Sequence, residues 1–254
     1  MGYISRLIKP TPAVATMIQS NKTDLAFGAG DVIYDWTPFQ IPVGTVKLES
    51  ISLLVAGEDG SPQTARDIAV YFAKGNADGS APSSLGTGNA TANGTGFYNN
   101  ILGHTILDVD NYENRLDFAS VVTGNTTNQA PGVGHSDLVL ESESKNQDGT
   151  HTLYVALIGG ASYDGDFSTG VIADGAVTKG AASNFDVTSG GTDANKVFNP
   201  GDVILVHNSD TPIGTVKSAT ATNIVLEDVT GVDIANLDEI MHATPIKVRL
   251  GFQY

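Results

Sequence analysis

The sequence predicts an all-β chain, an antiparallel β-sandwich of jelly-roll-like kind with a small β-barrel inserted before its last strand. Three observations predict it. Apolar residues at helical spacing are almost absent, and the best stretch is residues 232–241, where Ile234, Leu237 and Ile240 could line a turn or two. Short runs of β-branched and aromatic residues recur, each bounded by Gly, Asn, Asp or Pro. The runs follow one another through polar connections, without the helical segments that βαβ units need. Length and composition agree: 254 residues allow one large all-β domain or two smaller ones, and 41% hydrophobic residues are enough for a core.

Residues 1–42 are read as an N-terminal arm. They carry Pro10, Pro12, Pro38 and Pro42, and Ile4, Leu7, Ile8, Val14, Met17 and Ile18 sit among polar residues with no strand or helix period. Alone, such a segment is poorly ordered. Against a neighbour it could bury all six, which makes them candidate interface residues. Trp36, within VIYDWTPF at 32–39, is either a plug for the end of the sandwich or an anchor for a partner.

Residues 43–198 are read as the main sandwich. The run 46–55 (VKLESISLLV) lies between Gly44 and Gly57, and 68–73 (IAVYFA) between Asp67 and Gly75-Asn76. Runs at 105–109 and 115–122 flank Asp110-Asn111 and read as a hairpin. Runs at 137–142 and 152–158 flank a turn ending in Asp148-Gly149 and read as another. Residues 75–96 are glycine-rich, with too little apolar surface to pack anything, so they are either mobile or ordered by a neighbour.

Residues 199–244 read as a separable module. Pro200-Gly201-Asp202 leads into 203–206, and further short strands are expected at 213–218, 222–227 and 239–243. Sequential short strands with tight turns can close a barrel and remove their edges. Residues 245–254 return to the sandwich as its last strand, with Ile246, Val248, Leu250 and Phe252 on one face and Lys247, Arg249, Gly251 and Gln253 on the other.

Charge and composition exclude several functions. Asp and Glu number 28 against 13 Lys and Arg, a formal charge of −15. Nucleic-acid binding and polybasic membrane attachment both draw on basic surface, so neither is expected. With no cysteine there is no disulfide, zinc ribbon, iron–sulfur site or thiol nucleophile. The first ten residues are broken by Ser5, Arg6, Lys9 and Pro10, so no signal peptide is expected. No apolar run approaches a membrane span.

Catalytic signatures are missing too. No phosphate loop, GxSxG or HExxH occurs. No two of His104, His135, His151, His207 and His242 have metal-pair spacing, although the first three could converge at strand ends. The acidic clusters Asp108/Asp110/Glu113 and Asp164/Asp166 supply hard oxygens on turning backbone and are the candidates for calcium. They also offer acid pairs to a glycan-active enzyme. Their spacing departs from the EF-hand loop, and hairpin turns are rich in Asp for conformational reasons. They are therefore read as solvated turns, with no catalytic residue and no cofactor.

The strand-rich 43–57 segment, the glycine-rich 75–96 loop and the Asn199-Pro200-Gly201-Asp202-Val203-Ile204-Leu205 barrel entry together resemble, in style, the virion structural proteins of tailed bacteriophages, marine and cyanobacterial ones in particular. That resemblance implies a non-enzymatic capsid decoration protein on the particle surface, bound to the major capsid protein or another virion protein. It also implies a homo-oligomer, a trimer above all. The alternative from another class is a carbohydrate-binding or adhesion module of a tail or appendage.

Overall fold

The computed structural model describes residues 2–10, 28–57, 60–62, 67–86, 88, 90–93, 99–108, 112–113, 119–125, 138–141, 150–160, 167–188, 191–206, 209 and 211–254, those at 112–113 and 119–125 without their side chains. The strands are β1 (Tyr3–Ile8), β2 (Val32–Pro42), β3 (Val46–Ala56), β4 (Ile68–Lys74), β5 (Ile101–Leu107), β6 (Tyr112–Glu113), β7 (Ala119–Asn125), β8 (Val139–Leu140) and β9 (Thr150–Gly159). Then come β10 (Asn184–Asp186), the one-turn helix α1 (Ala194–Val197), β11 (Val203–Val206), β12 (Pro212–Ala219), β13 (Asn223–Leu226), β14 (Ile240–His242) and β15 (Ile246–Gln253).

Two antiparallel sheets form the sandwich. One runs β1-β15-β3-β7-β6 with β8 also on β3, and the other runs β2-β9-β4-β5. Period-two alternation sends Leu48, Ile51, Leu53, Val248, Leu250 and Phe252 from the first sheet into a core shared with Phe39, Ile41, Val70, Phe72, Leu153 and Val155 from the second. Phe39 joins the layers, stacked on Phe252 with ring centroids 5.8 Å apart and edge-on to Phe72 at 6.3 Å. Each such side chain contributes about 1.5–3 kcal/mol when fully buried.

The segment read as an arm instead supplies two sandwich strands. β1 pairs along β15 from Tyr3↔Gln253 to Ile8↔Val248, and β2 pairs with β9. Ile8 is buried and Ile4 packs against the same core, whereas Leu7 faces out, 52% exposed. The alternation Tyr3-Ile4-Ser5-Arg6-Leu7-Ile8 is a strand pattern obscured by Arg6, whose Nε donates to the Gln40 carbonyl at 2.8 Å and so lies against β2. Val14, Met17 and Ile18 lie outside the described residues.

Both expected hairpins are arches between the sheets. β5 pairs with β4 in one sheet while β6 and β7 lie in the other. Likewise β8 pairs with β3 while β9 pairs with β2 and β4. Asp-Asn and Asp-Gly mark a reversal of the chain, but not whether it stays in the plane of one sheet.

The inserted module has its own core, and that core reaches back before residue 199: Val171, Ala173, Phe185, Val187 and Val197 belong to it with Ile204, Ile213, Ile224 and Ile240. Its sheet runs β10-β13-β12-β11-β14. Residues 171–174 bond to both edges. Ala173 N–H donates to Asp238 O and Ile240 N–H to Val171 O on one side, while Thr188 N–H donates to Ile172 O and Asp174 N–H to Asp186 O on the other. Backbone pairing therefore runs round the module and leaves neither edge open. Glu239, buried, clamps entry to exit: its Oε1 accepts the N–H of Thr169 at 2.8 Å and of Gly170 at 3.0 Å. No helix forms over 232–241. Leu237 takes a positive φ of 71°. The Asp238 carboxylate accepts Ala235 N–H, and Asn236 Oδ1 accepts Gly175 N–H. The first is a local bond that competes with a helix ladder, and the second ties the segment to a distant turn.

The module is not separable from the sandwich. On β11, Ile204 and Val206 face the module core while Leu205 faces the sandwich core. Ile240 and Met241 of β14 divide in the same way, and Ala243 follows Met241 into the sandwich. Excision of 199–244 would therefore open both cores. Leu205→Ala is expected to cost about 2–5 kcal/mol and to leave one cooperative unfolding transition. Two separate calorimetric transitions would show that the shared strands do not couple the cores.

Candidate functional site

The described ionisable residues that converge do so at the junction of module and sandwich. Asn199-Pro200-Gly201-Asp202 forms a turn in which Asp202 N–H donates to Asn199 O at 3.1 Å and Gly201 has φ +90°. Pro at the second position and a positive-φ Gly at the third are what a type II turn requires. The turn aims the Asp202 carboxylate back, so that Oδ2 accepts Asn199 N–H at 2.9 Å. His242 at the end of β14 brings Nδ1 to 4.0 Å from Asp202 Oδ2, and Lys247 of β15 brings Nζ to 3.7 Å from Oδ1. The imidazole meets the Phe198 ring edge-on at 4.8 Å. The three residues line a cleft of about 100 Å³ with Leu54, Ala56, Val197, Asn199, Thr244 and Pro245.

Burial is the main influence on His242, and the Lys247 ammonium adds to it; both keep the proton off the ring. Asp202 and a hydrogen bond to the Val197 backbone act the other way, and the net result is a pKa pulled down to about 4. At neutral pH the site therefore holds a neutral imidazole between a carboxylate and an ammonium. The 4.0 Å gap between His242 and Asp202 exceeds the 2.6–3.2 Å reach of direct proton transfer. This is a polar joint between two packed bodies more than an acid–base pair.

The residues singled out in the sequence do not gather here. Asp108 lies one residue past β5 and Glu113 in β6, while Asp110, Asp164 and Asp166 fall outside the described residues. Among the described residues no group of three His, Asp or Glu side chains is placed to hold a metal ion. His104 and His151 do not converge. His104 is on the outer face of β5, stacked on Tyr71 at 5.1 Å. His151 is on the inner face of β9, buried, with Nδ1 lacking a hydrogen-bond partner. His135 and His207 lie outside the described residues.

Trp36 sits on the outer face of the four-stranded sheet, not at the end of the sandwich. It packs beside Val32, Leu85 and Ala156, and its indole N–H donates to Ser83 O at 3.1 Å. The described part of the glycine-rich loop is thus seated on its own chain. Leu85 is 1% exposed, its N–H donates to Asp35 Oδ1 at 3.0 Å, and Val32 N–H donates to Ala90 O. One leucine with well-placed backbone bonds is enough to seat it.

No family model, curated protein or solved structure matches the chain. No helix among the described residues is long and apolar enough to cross a membrane.

The His242 site predicts acid sensitivity. The unfolded imidazole takes its proton near pH 6.5 and the folded one near 4. Between these values the unfolded state binds more protons, so stability falls as pH falls, by up to about 1.4 kcal/mol per pH unit. Urea denaturation of wild type and His242→Gln across this window is expected to show a stability difference that changes with pH. A difference constant with pH would refute a neutral buried His242.

Proposed function

We propose that the chain is a non-enzymatic virion structural protein, a capsid decoration protein that docks on a protein lattice through one sheet face. The supporting observation is the outer face of the six-stranded sheet. Pairing sets its residues in rows: Tyr3–Gln253–Lys47–Val139, then Leu7–Arg249–Ser52, then Lys247–Leu54. Tyr3, Val139, Leu7 and Leu54 are exposed there at 64%, 52%, 52% and 37%. Large apolar groups set among polar ones on one sheet face are the mixture that protein interfaces use, whereas enzyme sites are deep and concave. Leu7, exposed on this face, supports this reading. Ile4 and Ile8 serve the chain's own core instead.

The test is imaging of native particles with and without the chain, together with co-sedimentation. Extra density at regular lattice positions is expected, lost when Leu7 and Leu54 are both changed to Lys. A folded chain that ignores particles but binds a soluble glycan would replace this reading with the adhesion module.

A further inference from the structure

The outer face of the six-stranded sheet differs from the rest of the chain in charge. From β1, β15, β3 and β8 it presents Lys47, Lys247 and Arg249 against Glu49, with Glu141 just past β8. Among the described side chains of these four strands, three cations thus stand against Glu49 and the adjoining Glu141, in a chain with 13 basic and 28 acidic residues. Lys47 is engaged with Glu49 at 3.4 Å and Lys247 faces Asp202. Arg249 is exposed between Leu7 and Ser52.

The inserted module is the complement. Residues 170–243 hold ten acidic and three basic residues. The loop leaving β13 presents Glu227, Asp228 and Val229, all exposed, with Val229 at 53%. In the closed ring of pairing β13 lies across from β14, the strand that also packs on the sandwich. The acidic, apolar tip thus leaves a strand on the side of the module opposite the one that packs on the sandwich, and it is exposed.

We infer that the outer face of the six-stranded sheet receives the Glu227–Asp228–Val229 tip of a second copy of this chain. Carboxylates of the tip meet Arg249, and Val229 lies against Leu7 and Leu54. Because two different patches meet, the contact is heterologous, and it propagates into a ring or an open chain of copies. Such propagation would serve the proposed lattice role, and the contact rests on that reading for its use.

Sedimentation velocity on the full chain, from about 1 to about 200 μM, tests the contact by charge reversal. Wild type is expected to self-associate with rising concentration. Arg249→Glu and Asp228→Lys, both surface changes that leave the circular dichroism unaltered, should each weaken association about tenfold or more. An equimolar mixture of the two variants should regain a dimer, since the native tip of one still fits the native face of the other. A wild type that is monomeric throughout overturns the contact. So does association indifferent to either reversal, or a mixture of two monomeric variants that stays monomeric; loss in Arg249→Glu with none in Asp228→Lys would mark face-to-face pairing instead. Particle co-sedimentation separates this from the structural role: a solution monomer that still decorates particles refutes only the contact, and a self-associating chain that ignores particles refutes only the role.

Discussion

The fold depends on β15 lying between β1 and β3. Its eight residues hold β1 on one side and the length of β3 on the other, so the first and last described strands lock each other in place. Phe252 carries the stack onto Phe39, and the Ile246 N–H donates to the buried Tyr34 hydroxyl at 3.1 Å where the strand begins. Burial drives the Tyr34 phenol far above its ordinary pKa, so it stays neutral. Close fit enforces the register. The Tyr3 ring lies over Gly251, and a Cβ at Gly251 would come within 2.0 Å of the Tyr3 hydroxyl and 2.4 Å of Ser50 Oγ. A strand that must return to one register also dictates where the inserted module ends, which is why Glu239 and Thr169 tie its exit to its entry.

Strand positions were legible from residue pattern, and connections were not. The alternation of IKVRLGFQ and the apolar runs of β3, β4 and β9 predict strands close to those observed. Turn chemistry misled at both arches, because Asp and Gly permit a reversal without choosing its plane. Residues 3–8 were hidden by Arg6, an inward-parity residue whose long side chain lies across the sandwich edge to reach Gln40. The barrel's start was missed because residues 171–187 enter it as single bridges and one short strand, too brief to show a period.

The junction site was only partly legible. Asn-Pro-Gly-Asp announces a type II turn and so fixes the backbone that aims Asp202. Nothing local ties it to His242 and Lys247, which lie on β14 and β15 and approach Asp202 only because β14 pairs with β11 and the chain then rejoins the sandwich. Histidine spacing offered no pair, and of the three histidines grouped by their strand-end positions, the described His104 and His151 fall on opposite faces of their sheet. Partners assembled by strand pairing leave no short-range trace.

The two outer faces of the sandwich differ in a way the strand sequences already encode. β4 reads IAVYFAK and β9 THTLYVALIG, nearly continuous apolar runs, and β15 reads IKVRLGFQ, an alternating one. A continuous run implies cover on both faces; strict alternation implies one face left to solvent. The outward residues of the first pair include Ala69, Ala73 and Ala156, small enough for a loop to approach, and Leu85 and Trp36 settle near Ala156. On β15 the outward residues are Lys247, Arg249 and Gln253, which nothing of that kind could cover without desolvating charge. The seated glycine-rich loop and the polar outward side of β15 are therefore two consequences of one division of labour. The chain spends its scarce loop leucine on the sheet whose strands demand it, and leaves the sheet whose strands can face water free to meet something else.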